Sequence, residues 1–396
     1  MPIEKGTIEI ETKRLAACMK SAAVISLHFS PAHASHMVAY GKALRDLGFD
    51  VSYIVEDKYL SVVDFSAFGE TIPAAHYARD PGCRQFDIAL LCNSSTSNRS
   101  VARDMRARGA SIFYLFHEPD SIWNLGLEGW RIIVSFPFST LCSIATLRLC
   151  SGVIVPSERA RSLYERHYLK YNGNVRVLPL LFDDEIGAER IERTRRQKRF
   201  FGYVGTVCNA HRFDAFIAFA KYAIRNGSTI PFAIATKVNL TSLLAGDKEL
   251  ARYVNEGKIQ MQHGRVLSNE EINQYSLDCF CVWNVYRRSM QSGVLPRAFM
   301  AGSPVVATRV GSFSEYIREG ITGEFVDSAD DPREILEVAE RIRNRFPTYV
   351  DACREKFLET FYYKANGDRL AAILGNACES PHFVYHASGD KKGGCG

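Results

Sequence analysis

Small residues precede a helix pattern near residue 294, and arginines lie on both sides of it. Residues 289–311 read S-M-Q-S-G-V-L-P-R-A-F-M-A-G-S-P-V-V-A-T-R-V-G, a short helix pattern followed by a buried strand. Ser292 and Gly293 stand at the helix entrance. Main-chain N–H groups at such an entrance can bind an anion, and small side chains let the anion approach them. The stretch therefore indicates a phosphate site, with an ordinary tight turn as the alternative.

Histidines mark a second group of residues that can do chemistry. His28, His33 and His36 share the predicted loop after the first strand, while His117 and Glu118 end a later strand. Imidazoles titrate near neutral pH and serve as general bases. If these loops face one cleft, the three histidines of the first loop predict an acceptor site. A structural histidine remains the alternative at each position.

The composition is that of an ordinary globular protein. The chain has 396 residues, 46% of them hydrophobic, and a formal net charge of +5, which predicts two or three domains. No basic stripe with interleaved aromatic residues indicates nucleic acid binding, whereas weak attraction to an anionic membrane surface is compatible with the charge. The N-terminus lacks the layout of a signal peptide. The apolar segment Ile132–Leu147 contains Pro137 and is too short to span a bilayer comfortably, so a buried helix is predicted there.

The cysteines do not indicate a metal site. The chain has 11 cysteines, and no pair has the spacing of zinc ligands. Cys279 and Cys281 alternate along a strand, so their sulfurs face opposite sides. The odd number and the apolar surroundings predict reduced thiols in a cytosolic protein.

Buried strand patterns alternate with helix patterns in two halves of the chain. Strands are predicted at 22–29, 50–55, 86–93, 111–118, 151–157, 175–180, 200–206, 231–236, 258–264, 279–284, 304–308 and 321–327. Helices are predicted at 36–48, 100–109, 212–225, 270–275 and 331–345, with two further helical runs up to about 375. This alternation predicts an α/β protein with two Rossmann-like parallel-sheet domains. Ligands of such sheets bind at the carboxyl ends of the strands, so the cleft between the sheets is the predicted site.

Five segments, in order, resemble the family-four glycosyltransferases of the GT-B fold. The segments are F-H-E-P-D (116–120), S-G-V-I-V-P-S-E-R-A (151–160), F-G-Y-V-G-T (201–206), H-G-R-V-L-S-N-E-E-I-N-Q-Y-S-L-D-C-F (263–280) and F-M-A-G-S-P-V-V-A-T-R-V-G-S-F-S-E-Y-I-R-E-G-I-T-G-E-F-V-D (299–327). The resemblance implies that a sugar is transferred from a nucleotide diphosphate donor with retention at the anomeric carbon, without a metal or other cofactor. The Asp-rich groups at 182–185 and 329–331 agree with this, because both are better explained as turns and caps.

The resemblance also implies domains and site residues. It predicts an acceptor-binding domain at 1–184, a linker or exposed helix at 185–199, and a nucleotide-sugar domain at 200–355. The helices at 356–375 are expected to cross back to the N-terminal domain, and the tail at 376–396 is expected to be disordered. The implied catalytic residues are His117 and Glu118, and His28, His33 and His36 face the acceptor. The implied donor-binding residues are Gly205, Thr206, His211, Arg212, Arg265, Val266, Ser289, Ser292, Gly293, Val294, Arg297 and Glu315. The Val266 main chain is expected at the base, which slightly favours a UDP-sugar, and the alternative for Glu315 is a helix cap.

Four positions depart from the family pattern. Thr206 and His211 stand where the family carries an arginine and a lysine, and Ser289 and Arg297 stand where it carries two glutamates. A divergent branch, a local misalignment and lost activity each explain this, and the first is our prediction. Bidentate arginines would then meet the phosphates. The candidates are Arg212, Arg287, Arg288 and Arg297. An arginine near the sugar also points to an acidic donor sugar, such as a uronate, as an alternative substrate.

The sequence thus predicts a retaining glycosyltransferase of polysaccharide biosynthesis. Its partners would be a nucleotide-sugar donor and a glycan or lipid-linked acceptor, with no nucleic acid. The predicted location is the cytoplasm, with peripheral contact to the inner membrane surface. A nucleotide-sugar epimerase on the same fold and a non-catalytic binder of nucleotide sugars or glycans remain as alternatives.

Overall fold

The computed structural model describes residues 20–30, 33–61, 63–119 and 140–375. They form one seven-stranded and one six-stranded parallel sheet, with helices packed against both. The predicted α/β architecture of two Rossmann-like domains is therefore confirmed. The predicted disordered tail at 376–396 lies outside the described residues, as does the first half of Ile132–Leu147, while residues 140–147 are described and helical.

The N-terminal sheet has the strand order β3-β2-β1-β4-β5-β6-β7. Its strands are β1 (Ser21–Ser26), β2 (Asp50–Val55), β3 (Glu70–Pro73), β4 (Ile88–Leu91), β5 (Ser111–Leu115), β6 (Gly152–Val155) and β7 (Val175–Val177). Its helices are α1 (Ala34–Asp46), α2 (Ala74–Arg79), α3 (Asn98–Ala107) and α4 (Glu158–Tyr168). Continuous apolar runs form the inner strands because helices cover both faces of a parallel sheet. The strand order reverses at β1, so the loops after β1 and β4 open a crevice at the carboxyl edge.

The C-terminal sheet has the order β10-β9-β8-β11-β12-β13. Its strands are β8 (Phe200–Val204), β9 (Phe232–Ala235), β10 (Ile259–Gln262), β11 (Cys279–Asn284), β12 (Val305–Ala307) and β13 (Gly323–Phe325). The helices of this half are α5 (Ala188–Thr194), α6 (Phe213–Arg225), α7 (Thr241–Gly246), α8 (Lys248–Asn255), α9 (Asn269–Asp278), α10 (Val294–Met300), α11 (Phe313–Tyr316), α12 (Pro332–Thr360) and α13 (Gly367–Leu374). Short 3₁₀ helices lie at Asp57–Ser61, Ser66–Phe68, Pro81–Cys83, Asn209–His211 and Tyr363–Asn366.

The longest helix differs from its sequence prediction. The pattern predicts a helix over 331–345, but α12 continues to Thr360 with Pro347 inside it. A proline removes one main-chain hydrogen bond from a helix. Phe346, Tyr349 and Val350 are nevertheless buried around it, and packing of an apolar face supplies most of a helix's stability in a protein. The short elements β3, α2, α7, α8 and α11 have no counterpart in the sequence prediction. Residues 185–199 contain α5, which buries Ile191.

The chain crosses between the two halves twice at one place. Phe182 donates its N–H to the carbonyl of Phe361 at 2.8 Å, and the N–H of Tyr363 donates back to Phe182 at 2.9 Å. After this crossing α13 returns to the first domain, where Leu370 and Leu374 join the core around α1. Phe182 and 361–363 therefore form a two-stranded hinge. Within the described residues, no helix combines the length and apolar character needed to cross a bilayer.

Candidate active site

A cavity of about 360 Å³ lies between the carboxyl edges of the two sheets. The N-terminal domain contributes the loops after β1 and β5, and the C-terminal domain contributes the loops after β8, β9 and β11. The cavity brings together twelve of the predicted site residues, namely His33, His36, His117, Glu118, Gly205, Thr206, His211, Val266, Ser292, Gly293, Val294 and Arg297. Five predicted residues do not line it, namely His28, Arg212, Arg265, Ser289 and Glu315.

Three histidines of the N-terminal domain meet in the cavity. The ring centroids of His33 and His117 are 5.0 Å apart, and those of His36 and His117 are 6.5 Å apart. His36 Nδ1 donates to the carbonyl of Leu181 at 3.1 Å, and His117 Nε2 donates to the carbonyl of Cys92 at 2.7 Å. These bonds leave the other nitrogen of each neutral ring as an acceptor.

The three imidazoles are held neutral. Burial, together with the neighbouring His117 and His28, lowers the pKa of His33 to about 3. Burial likewise lowers the pKa of His36 and that of His117, and in each case a main-chain carbonyl offsets part of the effect. The site therefore presents uncharged rings to whatever fills the N-terminal side of the cavity.

Ser292 and Gly293, at the entrance of α10, lie opposite these histidines. Gly293 precedes α10, and a Cβ atom built on it would lie 3.8 Å from His36 Nε2, which shows how closely the domains approach. The Ser292 hydroxyl accepts the N–H of Val294 at 3.2 Å. Within the described part of the chain, no acceptor engages the main-chain N–H of Ser292 or Gly293. Both residues line the cavity, so these amides are available to an anion bound there.

The loop after β8 forms another wall. The Gly205 N–H donates to the carbonyl of Ala235 at 2.9 Å, so this amide is used within the sheet, while Gly205 itself lines the cavity. The His211 ring bonds the Thr206 carbonyl through Nδ1 at 2.9 Å and stacks on Tyr286 with centroids 4.3 Å apart. Burial lowers the pKa of His211, but contacts with Cys208, the Thr206 carbonyl and Glu118 outweigh burial and raise it above the ordinary value. His211 is thus the one histidine lining the described cavity whose pKa is raised, whereas the pKa values of His33, His36 and His117 are lowered.

Arg297 joins the domains at the cavity floor. Its guanidinium donates to Asn273 Oδ1 at 2.8 Å and Asn269 Oδ1 at 2.9 Å, and it also bonds the Ser35 hydroxyl of the first domain. Glu185 lies 3.5 Å away. Burial lowers the pKa of Arg297, and Glu185 opposes that effect. Because these partners occupy both terminal nitrogens, Arg297 is placed to hold the two domains in register.

Two of the expected donor-binding arginines, Arg212 and Arg265, are directed elsewhere. Arg212, in a left-handed conformation with φ 50°, pairs with Asp214 and Asp330 outside the cavity. Arg265 pairs with Glu271 and is exposed. Each guanidinium is thus satisfied by carboxylates of its own domain, which explains why neither reaches the cavity.

Ser289 and His28 are two further predicted site residues that do not line the cavity. The Ser289 hydroxyl donates to the carbonyl of Gln291 at 2.7 Å and is buried behind the loop. The carbonyl of His28 accepts from the Asn93 side chain at 2.6 Å, which fixes the loop after β1. His28 therefore anchors this loop through its main chain, while His33 and His36 reach the cavity.

Glu315 caps a helix of the opposite domain. Its carboxylate accepts the main-chain N–H groups of Glu158 and Arg159 at 2.9 and 2.8 Å. These are the first residues of α4, where a carboxylate complements the helix dipole. The adjacent Tyr316 hydroxyl bonds the carbonyl of Pro156. The alternative explanation of Glu315 as a helix cap is therefore the one that the structure supports, although the helix belongs to the other domain.

Lys237 lines the cavity although no motif indicates it. It follows β9, and among the described residues it has no carboxylate partner. By contrast Arg288, which stands near the cavity mouth, donates to Glu118 at 2.5 Å across the domain boundary. The only sequence signal for Lys237 is its place after a predicted strand, where side chains meet the cleft. Phe182 lines the cavity too, and its hinge position leaves no signal in the sequence.

No described group of three His, Cys, Asp or Glu side chains has an arrangement that could hold a metal ion. The Asp-rich segments are used otherwise. Asp183 pairs with Lys42, Asp184 pairs with Arg354, and Asp331 caps α12 by accepting the N–H groups of Arg333 and Glu334. Asp331 agrees with the interpretation as a cap, whereas Asp183 and Asp184 form ion pairs with side chains of α1 and α12.

A family model for Glycosyl transferases group 1 matches residues 198–344. This span runs from the start of the second sheet into α12 and contains the helix entrance at Gly293, so the similarity to group 1 glycosyl transferases lies in the C-terminal half of the chain. A search of curated proteins with the sequence gave no match.

Solved structures with the same architecture cover almost the whole described chain. Anabaena HepE in complex with UDP and glucose superposes with a TM-score of 0.65 at 14% identity, over 90% of this chain and 99% of that one. WaaG, a glycosyltransferase involved in lipopolysaccharide biosynthesis, gives 0.63 at 13% identity, over 89% and 100%. Sucrose-phosphate synthase from Thermosynechococcus elongatus gives 0.63 at 15%, over 89% and 97%. At such identities the likeness shows the fold, which is GT-B.

Proposed function

We propose that this chain, a GT-B protein with a group 1 glycosyl transferase domain, transfers a sugar from a nucleoside diphosphate donor to a hydroxyl acceptor with retention. The observation that carries the proposal is the cavity itself. It joins open main-chain amides of a group 1 domain to neutral histidines of the facing domain. One side is suited to an anionic donor and the other to an uncharged sugar.

The diphosphate charge is met by protein groups in this proposal. The N–H groups of Ser292 and Gly293, the His211 ring with its raised pKa and the Lys237 ammonium all border the cavity. Preorganised donors of this kind stabilise a leaving phosphate without reorganisation. Lys237 and His211 thereby take the role that the sequence argument gave to Arg212 and Arg297. No metal is required, so turnover should be unchanged by EDTA.

The acceptor side is argued from the three neutral rings. The free ring nitrogens of His36 and His117 can accept hydrogen bonds from sugar hydroxyls and so orient the sugar. Because these rings are neutral, they suit an uncharged acceptor substrate. His117 is proposed to contact the transferred sugar, with Glu118 holding its loop through Arg288. The acceptor is proposed to be a glycan or a lipid-linked oligosaccharide of polysaccharide biosynthesis.

Uridine is the proposed base. HepE, which shares the fold, has been crystallised with UDP and with UDP-glucose. In this chain Val266 and Leu267 offer an apolar wall beside Thr236 in the same cavity. A thermal-shift comparison of UDP, ADP and GDP tests the choice, because a ligand of the folded state stabilises it by mass action. Equal shifts for all three nucleotides would count against uridine.

Lys237 provides the sharpest test of donor binding. Lys237→Met should weaken UDP binding about tenfold, consistent with loss of one charge-assisted contact, while binding of uridine should change little. Lys258→Met is the matched control, since Lys258 is exposed and pairs with Glu256 outside the cavity. Equal weakening for UDP and uridine would contradict the phosphate role.

Transfer itself is tested by product analysis. Incubation with UDP-sugars and candidate oligosaccharides, followed by NMR of the anomeric proton, should give a glycoside with the donor's configuration. An inverted product would refute retention. Isomerised nucleotide sugar would favour an epimerase, and binding without donor hydrolysis or transfer would favour a non-catalytic binder.

Peripheral membrane contact is proposed for the outer face of the N-terminal domain. This domain exposes Arg99, Arg103 and Arg106 on α3, and Arg106 donates to the carbonyls of the exposed Arg148 and of Leu149. Leu141 and Leu169 of the same domain are 65% and 46% exposed. Cations attract anionic lipid headgroups, and apolar side chains can enter the headgroup boundary. Sedimentation with phosphatidylglycerol vesicles but not phosphatidylcholine vesicles is expected. Equal recovery with both would contradict the proposal.

A further inference from the structure

A second cavity, of about 330 Å³, lies at the carboxyl ends of β11, β12 and β13. The segments that follow these strands form its walls and contribute Arg287, Arg309 and Asp327 respectively. Ligands of parallel sheets bind at this edge. The ring of Tyr286, which lines the second cavity, stacks on His211, which lines the first. This stacked pair therefore stands between the two cavities, which share no lining residue among those that the structure describes.

Two exposed arginines of the second cavity keep guanidinium N–H groups free. Arg287 donates through Nη1 to the neutral Asn209 side chain at 2.9 Å, and within the described residues no carboxylate pairs with it. Arg309 donates through Nη2 to Glu319 at 2.6 Å, and its guanidinium carbon lies 4.1 Å from the centroid of the Phe325 ring. Because a guanidinium has five N–H donors, each side chain still offers donors to a ligand. Such forks suit a phosphate or a carboxylate group.

The third arginine of this cavity has no spare charge. Arg212 is buried, and its guanidinium pairs with Asp214 and Asp330. Asp330 also lies in the field of Arg287, but its hydrogen bonds go to Arg212 and its side chain is largely exposed. Water and salt screen an exposed carboxylate that lies beyond ion-pair distance. An anion in the cavity would therefore give Arg287 the direct counter-charge that the described part of the chain does not place beside it.

The remaining lining combines an acid with apolar side chains. Asp327 is exposed, and its carboxylate forms no ion pair with any residue that the structure describes. The Asp327 N–H donates to Glu334 at 2.9 Å, which fixes this segment, and Val310 and Val326 supply apolar surface. An ionised carboxylate only accepts hydrogen bonds, so Asp327 repels a bare anion but can accept from hydroxyl groups. The lining thus suits a molecule that carries one anionic group and several hydroxyls.

We propose that the second cavity is a ligand site, separate from the donor cavity, for a small anion that also carries hydroxyl groups, such as a phosphorylated or carboxylated sugar. Arg287 and Arg309 hold the anionic group, and Asp327 accepts hydrogen bonds from the hydroxyls. The volume of about 330 Å³ lies within the range of small-molecule sites. The site does not rest on the proposed function, because none of its residues lines the first cavity.

Arginine modification of the full chain tests this site without any variant. Phenylglyoxal is added at pH 8, and peptide mass spectrometry follows each arginine separately. Glucose 1-phosphate at ~10 mM should slow the modification of Arg287 about tenfold, which corresponds to a dissociation constant of about 1 mM. Arg99, an exposed arginine of the N-terminal domain, is the control in the same sample and should react at an unchanged rate. An unchanged rate for Arg287, or equal slowing of both arginines, would overturn the proposal.

Variants locate the bound anion. Arg287→Met should weaken the binding of glucose 1-phosphate about tenfold in isothermal titration calorimetry, through loss of one charge-assisted contact. Arg99→Met is the matched control and should bind as the wild type does. Lys237→Met, which alters the first cavity, should also bind as the wild type does. Weakening by Lys237→Met and not by Arg287→Met would place the ligand in the first cavity and overturn the second site.

The proposed function fails by a different result. A wild-type chain that did not bind UDP would refute the donor cavity, whereas binding of glucose 1-phosphate that depends on Arg287 would still establish the second site. Conversely, UDP binding that depends on Lys237, together with no protection of Arg287 by glucose 1-phosphate, would leave the proposed function standing and overturn the second site.

Four probes define the chemistry of the ligand. Glucose 1-phosphate and glucuronate should both protect Arg287 from phenylglyoxal, and the stronger of the two identifies phosphate or carboxylate as the preferred anion. Inorganic phosphate and glucose at the same concentration should protect less, because each lacks one of the two kinds of contact. Protection by inorganic phosphate equal to that by glucose 1-phosphate would overturn the role of the hydroxyls. Equal protection by glucose would overturn the role of the anion.

Discussion

Replacing His33 by glutamine should make the protein more resistant to acid. Burial beside His117 and His28 lowers the pKa of His33 from 6.5 to about 3. The unfolded chain therefore binds a proton near pH 6.5 that the folded protein accepts only near pH 3. The stability contributed by the neutral ring is complete above pH 6.5 and is lost as the pH falls toward 3.

The magnitude follows from the proton deficit of the folded state. pH 5 lies about 1.5 units below the pKa of the histidine in the unfolded chain, while the folded ring is still neutral at this pH. This difference corresponds to about 2 kcal/mol of lost stability. The wild type should therefore lose about 2 kcal/mol more than His33→Gln between pH 7.5 and pH 5. The protonation of His36 and His117 adds a loss that both proteins share.

Urea unfolding followed by circular dichroism at the two pH values measures this difference. His76→Gln is the control, because His76 is exposed on α2 and its replacement removes the same type of side chain. That variant should lose as much stability in acid as the wild type. If His33→Gln and the wild type lost equal amounts, His33 would not be a buried neutral ring, and the packing of the histidine cluster would have to be revised.

Three further predictions concern other parts of the molecule. Burial lowers the pKa of Lys198 to about 8, so its ammonium is held at a cost at neutral pH. Lys198→Met should stabilise the protein by about 2 kcal/mol at pH 7 in urea unfolding. This advantage should shrink toward pH 10, because the wild type gains stability as the pH rises from the folded pKa of about 8 to the ordinary lysine pKa of 10.5. Gly311→Ala should lower the free energy of unfolding by more than ~3 kcal/mol, because the added Cβ would lie 1.3 Å from the Ser289 carbonyl oxygen. Gly187→Ala is the control: its Cβ would have no atom within 4 Å, and it should cost about 1 kcal/mol in the same assay. Glu315→Ala should lower the unfolding free energy by about 1–2 kcal/mol through loss of the α4 cap, and an equal loss in Glu319→Ala, whose carboxylate pairs at the surface with Arg309, would argue against the cap.

Much of the fold could be predicted because buried parallel strands are continuous apolar runs. The bounds predicted for D-V-S-Y-I-V and C-F-C-V-W-N match Asp50–Val55 and Cys279–Asn284. Helix starts were less accurate where no side chain marks them. α1 begins at Ala34, and His33 before it makes no side-chain cap. The pattern of buried residues thus identifies strands more reliably than it locates helix ends.

The candidate site could be predicted only where it follows strand ends. His117 and Gly293 lie in loops at the carboxyl edges, and both line the cavity. The arginines could not be assigned from sequence because their partners are distant along the chain. Arg212 bonds Asp330, which is 118 residues away, and Arg297 bonds Ser35, which is 262 residues away. Whether a guanidinium is free for a ligand depends on such tertiary pairs, which no local motif reveals.

Phe182 connects the geometry of the domains to the contents of the cavity. Its main chain forms part of the two-stranded crossing, while its ring stands 4.4 Å from the His36 ring and 5.8 Å from the Arg297 guanidinium carbon. Two main-chain hydrogen bonds tie Phe182 to the segment 361–363 at this crossing. A rotation of one domain against the other about this crossing would therefore tilt the Phe182 ring within the cavity. A molecule pressed against that ring would consequently select one angle between the domains, and a change in the angle would alter the space available to the molecule.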